Sequence, residues 1–182
     1  VAIRGRDHRT GGCQPESVFC SQLVPAELVA VQCTYFEKSA ARNWLVPWHQ
    51  DLSIPVAERV DDPALRGWTE KEGSLFVQVP AEILEQMVAV RVHLEACTVH
   101  DGPLRVVSGS HRRGRLTPEA AVEIRAQGEE VVCPTERGDA LVLRPLLLHA
   151  SAKATGTSRR RVLHFLFGPR TLPHGLRWSH AP

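Results

Sequence analysis

The chain has 182 residues, 43% of them hydrophobic and 23% charged, with a formal net charge of +2. That length suits one domain with a real core, and the apolar content excludes disorder. The 13 Gly and 13 Pro exclude collagen-like and low-complexity classes, and no apolar stretch approaches the ~18 residues that span a bilayer.

In chain order, residues 1–25 carry Gly5, Gly11 and Gly12 without periodicity. They read as a mobile or incomplete N-terminal segment, with 26–182 as the folded domain. The chain begins at Val1 rather than Met, which leaves room for residues upstream. Residues 29–38 read as a strand, and 44–52 as a second extended segment with Pro47 at an edge or bulge. Residues 53–73 hold Pro55, Pro63 and two glycines and read as a long loop with room for one helical turn. A short helix is expected over 80–87, opened by Pro80.

Over 87–95, Val88, Val90, Val92 and Leu94 alternate with Arg91, His93 and Glu95, the pattern of a strand with one apolar and one polar face. Asp101-Gly102 marks a turn, 104–107 a strand and 108–110 a tight turn. Thr117-Pro118-Glu119 opens a helix that runs to Gln127 and stops at Gly128. Further strands follow at 130–133, 140–148 and 160–167, with a turn near Gly138-Asp139. About seven strands against one or two helices favour an all-β barrel or sandwich.

Only three of the 22 basic residues are Lys, at 38, 71 and 153. Genomic base composition accounts for most of that bias. The sharper reading is that some arginines bind carboxylate or phosphate in the bidentate way Lys cannot. The near-balanced charge gives no general pull toward nucleic acid or an anionic membrane. Cys13, Cys20, Cys33, Cys97 and Cys133 are odd in number, widely spaced and free of C-x-x-C, as expected of free thiols in a reducing compartment. No secretory leader is visible, so the expected setting is cytoplasmic.

The most informative stretch is Trp48-His49-Gln50-Asp51. On a strand His49 and Asp51 share a face and Gln50 points the other way. An imidazole and a carboxylate so placed can reach one divalent iron, which then needs one more protein ligand and keeps open positions. Candidates for that ligand are His93, His111, His149, His164 and the terminal histidines. His149 ends an apolar run, and Arg160 lies eleven residues later, near the start of the next apolar strand. Through a hairpin the two would project into one cavity, where a metal and a guanidinium could hold a dicarboxylate at both ends.

At these residues the chain resembles the phytanoyl-CoA dioxygenase family of iron(II)- and 2-oxoglutarate-dependent oxygenases. The matching stretches are NWLVPWHQDL at 43–52, GPLRVV at 102–107, GSHR at 109–112, and 138–151 and 160–165, in the family's order. The resemblance implies a double-stranded β-helix (jelly-roll, cupin-like) barrel with one or two packed helices. It implies His49, Asp51 and His149 as iron ligands and Arg160 as the partner of the distal carboxylate of 2-oxoglutarate, supported by Ser151. Arg91, on the polar face of its strand, is implied as a cosubstrate or substrate contact, and Thr34 and Gln32 as further contacts of that kind. Because Asp51 is a carboxylate, the resemblance implies oxygenation by O2 rather than halogenation. Ser108, Ala154 and Asp101 depart from the family's usual Pro, Asn and Asn, which touches loops and support of the cosubstrate more than ligation.

The expected activity is hydroxylation of a small molecule with release of succinate and CO2, and no nucleic-acid or membrane partner is expected. The alternative is a non-catalytic barrel that binds a metal or small carboxylate as a sensor. His111 in its turn could bond local backbone or rival His149. His164, four after Arg160, shares the lumen side of a regular strand. Trp68 reads equally as cover for substrate or as packing. Arg159 and Arg161 would be solvated.

Overall fold

The computed structural model describes residues 24–157 and 159–180. The lead-in at 1–25 lies outside the described residues, apart from its last two positions.

Among the described residues, eleven strands form three antiparallel sheets. The first holds β1 (Leu28–Lys38), β11 (Arg160–Pro169), β6 (Val88–His93) and β9 (Ala140–Leu143), in that order. The second runs β2 (Val46–His49), β10 (His149–Ser151), β7 (Leu104–Val107) and β8 (Glu130–Cys133). The third, β3 (Ser53–Val56), β5 (Ser74–Gln78) and β4 (Arg66–Lys71), extends one end. From β6 the chain passes to β7 and β8 in the second sheet, returns to β9, crosses to β10 and comes back as β11. That alternation makes a double-stranded β-helix, the jelly-roll expected from the sequence.

Two sequence expectations need correction. Residues 53–73 are not a long loop. Ile54 and Val56 are buried in β3, where Pro55 is tolerated because β3 is an edge strand. β4 carries a bulge between Arg66 and Thr69 with Gly67 at φ 58°, and it turns into β5 through Glu72 (φ 51°) and Gly73 (φ 76°), as a tight two-residue hairpin requires. The apolar run 140–148 is not one strand either. β9 stops at Leu143, a turn follows in which the Leu147 amide donates to the Arg144 carbonyl at 2.9 Å, and the chain changes sheet. Leu146, Leu147 and Leu148 are buried in that crossing, which places His149 at the head of a new strand.

Among the described residues, two short α-helices stand apart from the sheets. α1 (Ala81–Leu84) buries Ile83 and Leu84 against the core. α2 (Pro118–Gln127) is capped by Thr117, whose hydroxyl accepts the Ala120 amide at 3.2 Å, and buries none of its own residues. The main core gathers Ile54, Val77, Met87, Leu141, Leu166 and their neighbours, drawn from all three sheets and α1. Burying each such side chain contributes about 1.5–3 kcal/mol. A smaller cluster, Val24, Val88, Val90 and Ala140, covers the apolar face of β6. Its polar face, with Arg91 and a fully buried His93, turns into the barrel.

Candidate metal centre

The barrel's inner face changes character along its axis. Leu166 sits beside Ala89, and Ala89 beside Leu143, within the apolar end. One step along the ladders Thr34 pairs with His164, and His164 with Arg91. The next step aligns Phe36, Val162 and His93, and the last sets Lys38 opposite Arg160.

The second sheet supplies the metal-type donors. His49 and His149 are directly paired across β2 and β10, with ring centroids 4.2 Å apart. β2 bulges between Val46 and His49, where one extra residue opposes β10, so Pro47 lies at both an edge and a bulge as expected. Asp51 follows beyond the strand, its amide donating to the Pro145 carbonyl at 3.0 Å. Between the two, Gln50 points away and locks the segment. Its amide nitrogen donates to the Gly114 and Leu146 carbonyls at 2.9 and 2.7 Å, and its oxygen accepts the Leu116 amide at 2.8 Å.

Asp51 Oδ1 lies 3.5 Å from His49 Nε2, and Oδ2 3.7 Å from His149 Nε2. His49 Nδ1 is 2.8 Å from the Pro47 carbonyl oxygen, and His149 Nδ1 2.8 Å from that of Leu147. A carbonyl only accepts, so each Nδ1 donates to it, and each Nε2 is the ring atom that faces Asp51 and is left to ligate. All three donor atoms lie within 4.8 Å of one another, the one such cluster among the described residues. His93, His111 and His164 do not join it. Two imidazoles and a carboxylate on one side suit iron(II) with open positions. His149 is almost closed off at 8% side-chain exposure, whereas the side chains of His49 at 37% and Asp51 at 43% remain partly open to solvent.

Electrostatics favour the ligating form at Asp51 and His149 and oppose it at His49. Burial alone would raise the Asp51 carboxyl, but the His49 hydrogen bond, with His149 and His164 behind it, keeps it well below the usual range. Burial lowers His149, opposed by Asp51, whereas the bond to Asp51 raises His49.

At the deep end Arg160 is 4% exposed and Lys38 1%. They do not meet His149 through a hairpin, because β10 and β11 belong to different sheets. Contact runs across the barrel instead. Lys38 Nζ donates to Ser151 Oγ at 2.7 Å and to the Ala152 carbonyl at 2.6 Å. Arg160 Nη1 donates to the Gly102 carbonyl and approaches Ser151 Oγ at 3.4 Å. Ser151 gives its own proton to Gly102 O at 2.8 Å, so its hydroxyl acts as an acceptor that aligns the two cations. Nearer the donors, Arg91 lies 3.4 Å from His164 Nδ1 and 5.4 Å over the Phe36 ring, and Gln32 donates to Thr34 at 2.9 Å. Arg159 and Arg161 pair outside with Glu37 and Glu95. Trp68 packs against the core with Arg59 over its ring at 5.3 Å, and His111 lines a surface hollow with Leu84 and Arg144. Lys38 carries no functional signal in the sequence. At a strand end it looks solvated, and only the non-local pairing of β1 with β11 buries it.

Fold and donors together define a cupin-like barrel with a two-histidine, one-carboxylate centre. The chain belongs to the phytanoyl-CoA dioxygenase (PhyH) family, whose profile matches residues 8–162. No curated protein gives a significant match. Among solved structures, AviO1 from Streptomyces viridochromogenes Tue57 is 24% identical at TM-score 0.55, covering 85% of this chain and 54% of its own. SnoN, a non-heme alpha ketoglutarate dependent epimerase from nogalamycin biosynthesis, is 14% identical at TM-score 0.56, covering 84% and 52%. EctD from S. alaskensis with bound Fe is 20% identical at TM-score 0.54, covering 79% and 45%. These likenesses carry the fold, and this chain spans about half the length of each.

Proposed function

We propose that this protein is an iron(II)- and 2-oxoglutarate-dependent oxygenase that hydroxylates a small molecule. The observation that carries the reading is the convergence of His49, Asp51 and His149 donor atoms within 4.8 Å, with each Nδ1 held by a backbone carbonyl and each Nε2 turned toward the carboxylate. Those three residues would hold the iron from one side. When bound, iron(II) with 2-oxoglutarate supplies oxidation by O2, with succinate and CO2 as co-products.

The basic end of the barrel fits a dicarboxylate. Like charges set directly opposite in a ladder repel, yet Lys38 and Arg160 are ladder partners and both buried. An anion between the sheets relieves that repulsion. Nε of Arg160 and Nε of Arg91 are buried without a hydrogen-bond partner among the described residues, two donors ready for carboxylate oxygens. Arg160 would grip the distal carboxylate, with Ser151 and Lys38 fixing its approach. Arg91, with His164, Thr34 and Gln32 beside it, would face the cosubstrate or the substrate near the metal. Cys33 and Cys97 are free thiols, which together with iron(II) suits a reducing, cytoplasmic setting. No described helix is long and apolar enough to cross a membrane.

The test is succinate release. Purified protein with iron(II), 2-oxoglutarate, air and a metabolite pool should form succinate, and His149→Ala should abolish it. Undiminished succinate from His149→Ala would sink the ligand assignment. Binding of both iron and 2-oxoglutarate without turnover on any pool favours the sensor reading instead.

A further inference from the structure

His93 is neither a metal-type donor nor one of the groups placed at the dicarboxylate. The side chain is 1% exposed, and neither Nδ1 nor Nε2 has a hydrogen-bond partner among the described residues. Buried polar groups are nearly always satisfied, so two orphaned nitrogens on one ring call for a partner.

Register says where that partner sits. His93 pairs with Val162 on β11, so on the inner face its neighbours are Arg91, two residues back on its own strand, and Arg160 and His164, two to either side of Val162. Arg91, His93 and Arg160 together hold four of the buried unpartnered side-chain atoms. Such donors grouped on one face fit an oxygen-rich anion.

Which end of the anion His93 meets follows from the charges around it. Arg91, Arg160 and Asp139 bear on His93, whereas Asp51 bears on Arg91. Asp139 is spoken for by the Glu136 amide, which it accepts at 2.8 Å in the turn before β9. His93 therefore stands on the Arg160 side, away from the metal-type donors. Burial and the two guanidiniums push its pKa down to about 4, leaving a neutral ring with one N–H to give.

We propose that His93 is a cosubstrate-binding residue whose imidazole N–H donates to the distal carboxylate of 2-oxoglutarate, beside the Arg160 guanidinium. This inference rests on the function proposed above. Its rival is a buried water that satisfies the ring whether or not a ligand is present.

The experiment is an anaerobic calorimetric titration of the iron(II)-loaded protein with 2-oxoglutarate, in wild type, His93→Leu and His93→Gln. A hydrogen bond to a charged group lost from a buried site weakens binding roughly 10–100-fold. His93→Leu should show that loss while raising the thermal midpoint of the ligand-free protein, because an orphaned polar group is replaced by an apolar one of similar size. Opposite movement of affinity and stability is something general damage to the fold does not produce. His93→Gln, which keeps a donor, should recover most of the affinity. Binding to His93→Leu within twofold of wild type would overturn the inference.

Should the leucine variant not fold, the wild type decides the matter with 15N-labelled histidine and Zn(II) in the site. Adding 2-oxoglutarate should shift the His93 ring resonance, and an unmoved resonance overturns the proposal in favour of water. Failure of the wild type to bind 2-oxoglutarate with metal present would instead bring down the proposed function itself. The two failures are thus distinct.

Discussion

Lowering the pH from 7.5 to 5 should cost this protein stability through His93. In the unfolded chain a histidine titrates near 6.5, whereas burial, Arg91 and Arg160 hold the folded His93 at about 4. Between those values the unfolded chain binds a proton that the folded one refuses. Stability is therefore fully present above 6.5 and is lost as pH falls toward 4. Over the stated drop the loss is about 2 kcal/mol, from some one and a half units at 1.36 kcal/mol each. His164, also lowered to about 4 by burial and Arg91, acts in the same sense. His49, raised by its bond to Asp51, acts in the opposite one. Raw pH curves therefore mix several groups, and the difference between wild type and His93→Leu isolates one. Urea unfolding of both metal-free proteins at the two pH values gives that difference. The variant should gain about 2 kcal/mol on wild type at the lower pH. A difference that stays constant with pH would refute the reasoning.

Two further perturbations test how the site is held. Gln50→Ala removes three hydrogen bonds that fasten the His49–Asp51 segment to Gly114, Leu116 and Leu146. It should lower stability by about 2 kcal/mol in urea unfolding and weaken iron(II) affinity with all three ligands intact. Gly102→Ala places a Cβ 2.3 Å from the Ala152 carbonyl oxygen at a residue with φ 62°. That carbonyl accepts from Lys38, and Gly102's own from Arg160 and Ser151, so the variant should lose both stability and 2-oxoglutarate affinity, read by unfolding and calorimetry. Normal 2-oxoglutarate affinity in a folded Gly102→Ala would contradict the place given to the basic end.

The donor triad was legible in the sequence because half of it is local. His49 and Asp51 share a face by strand parity alone, and resemblance picked His149 from several candidates. The alternation of Arg91 and His93 with valines likewise gave a strand with a polar side. Strands β3 and β4 were hidden by Pro55, by the Gly67 bulge and by a hairpin turn written Glu72-Gly73 instead of the usual Asn-Gly. The run 140–148 reads as one strand because hydrophobicity does not register the turn at Arg144 or the change of sheet. The burial of Lys38 and His93 was out of reach for a different reason. Their burial comes from pairings of β1 and β6 with a strand far along the chain, and no local pattern encodes which partner a strand will find.

The central claim is that His49, Asp51 and His149 hold an iron that 2-oxoglutarate joins. Anaerobic addition of iron(II) and then 2-oxoglutarate, followed by visible absorption, tests it most directly. The account predicts a charge-transfer band that requires both additions, saturates at one iron per chain and is lost in Asp51→Ala. A band of undiminished strength in Asp51→Ala, or none in the wild type at saturating concentrations of both, would contradict it.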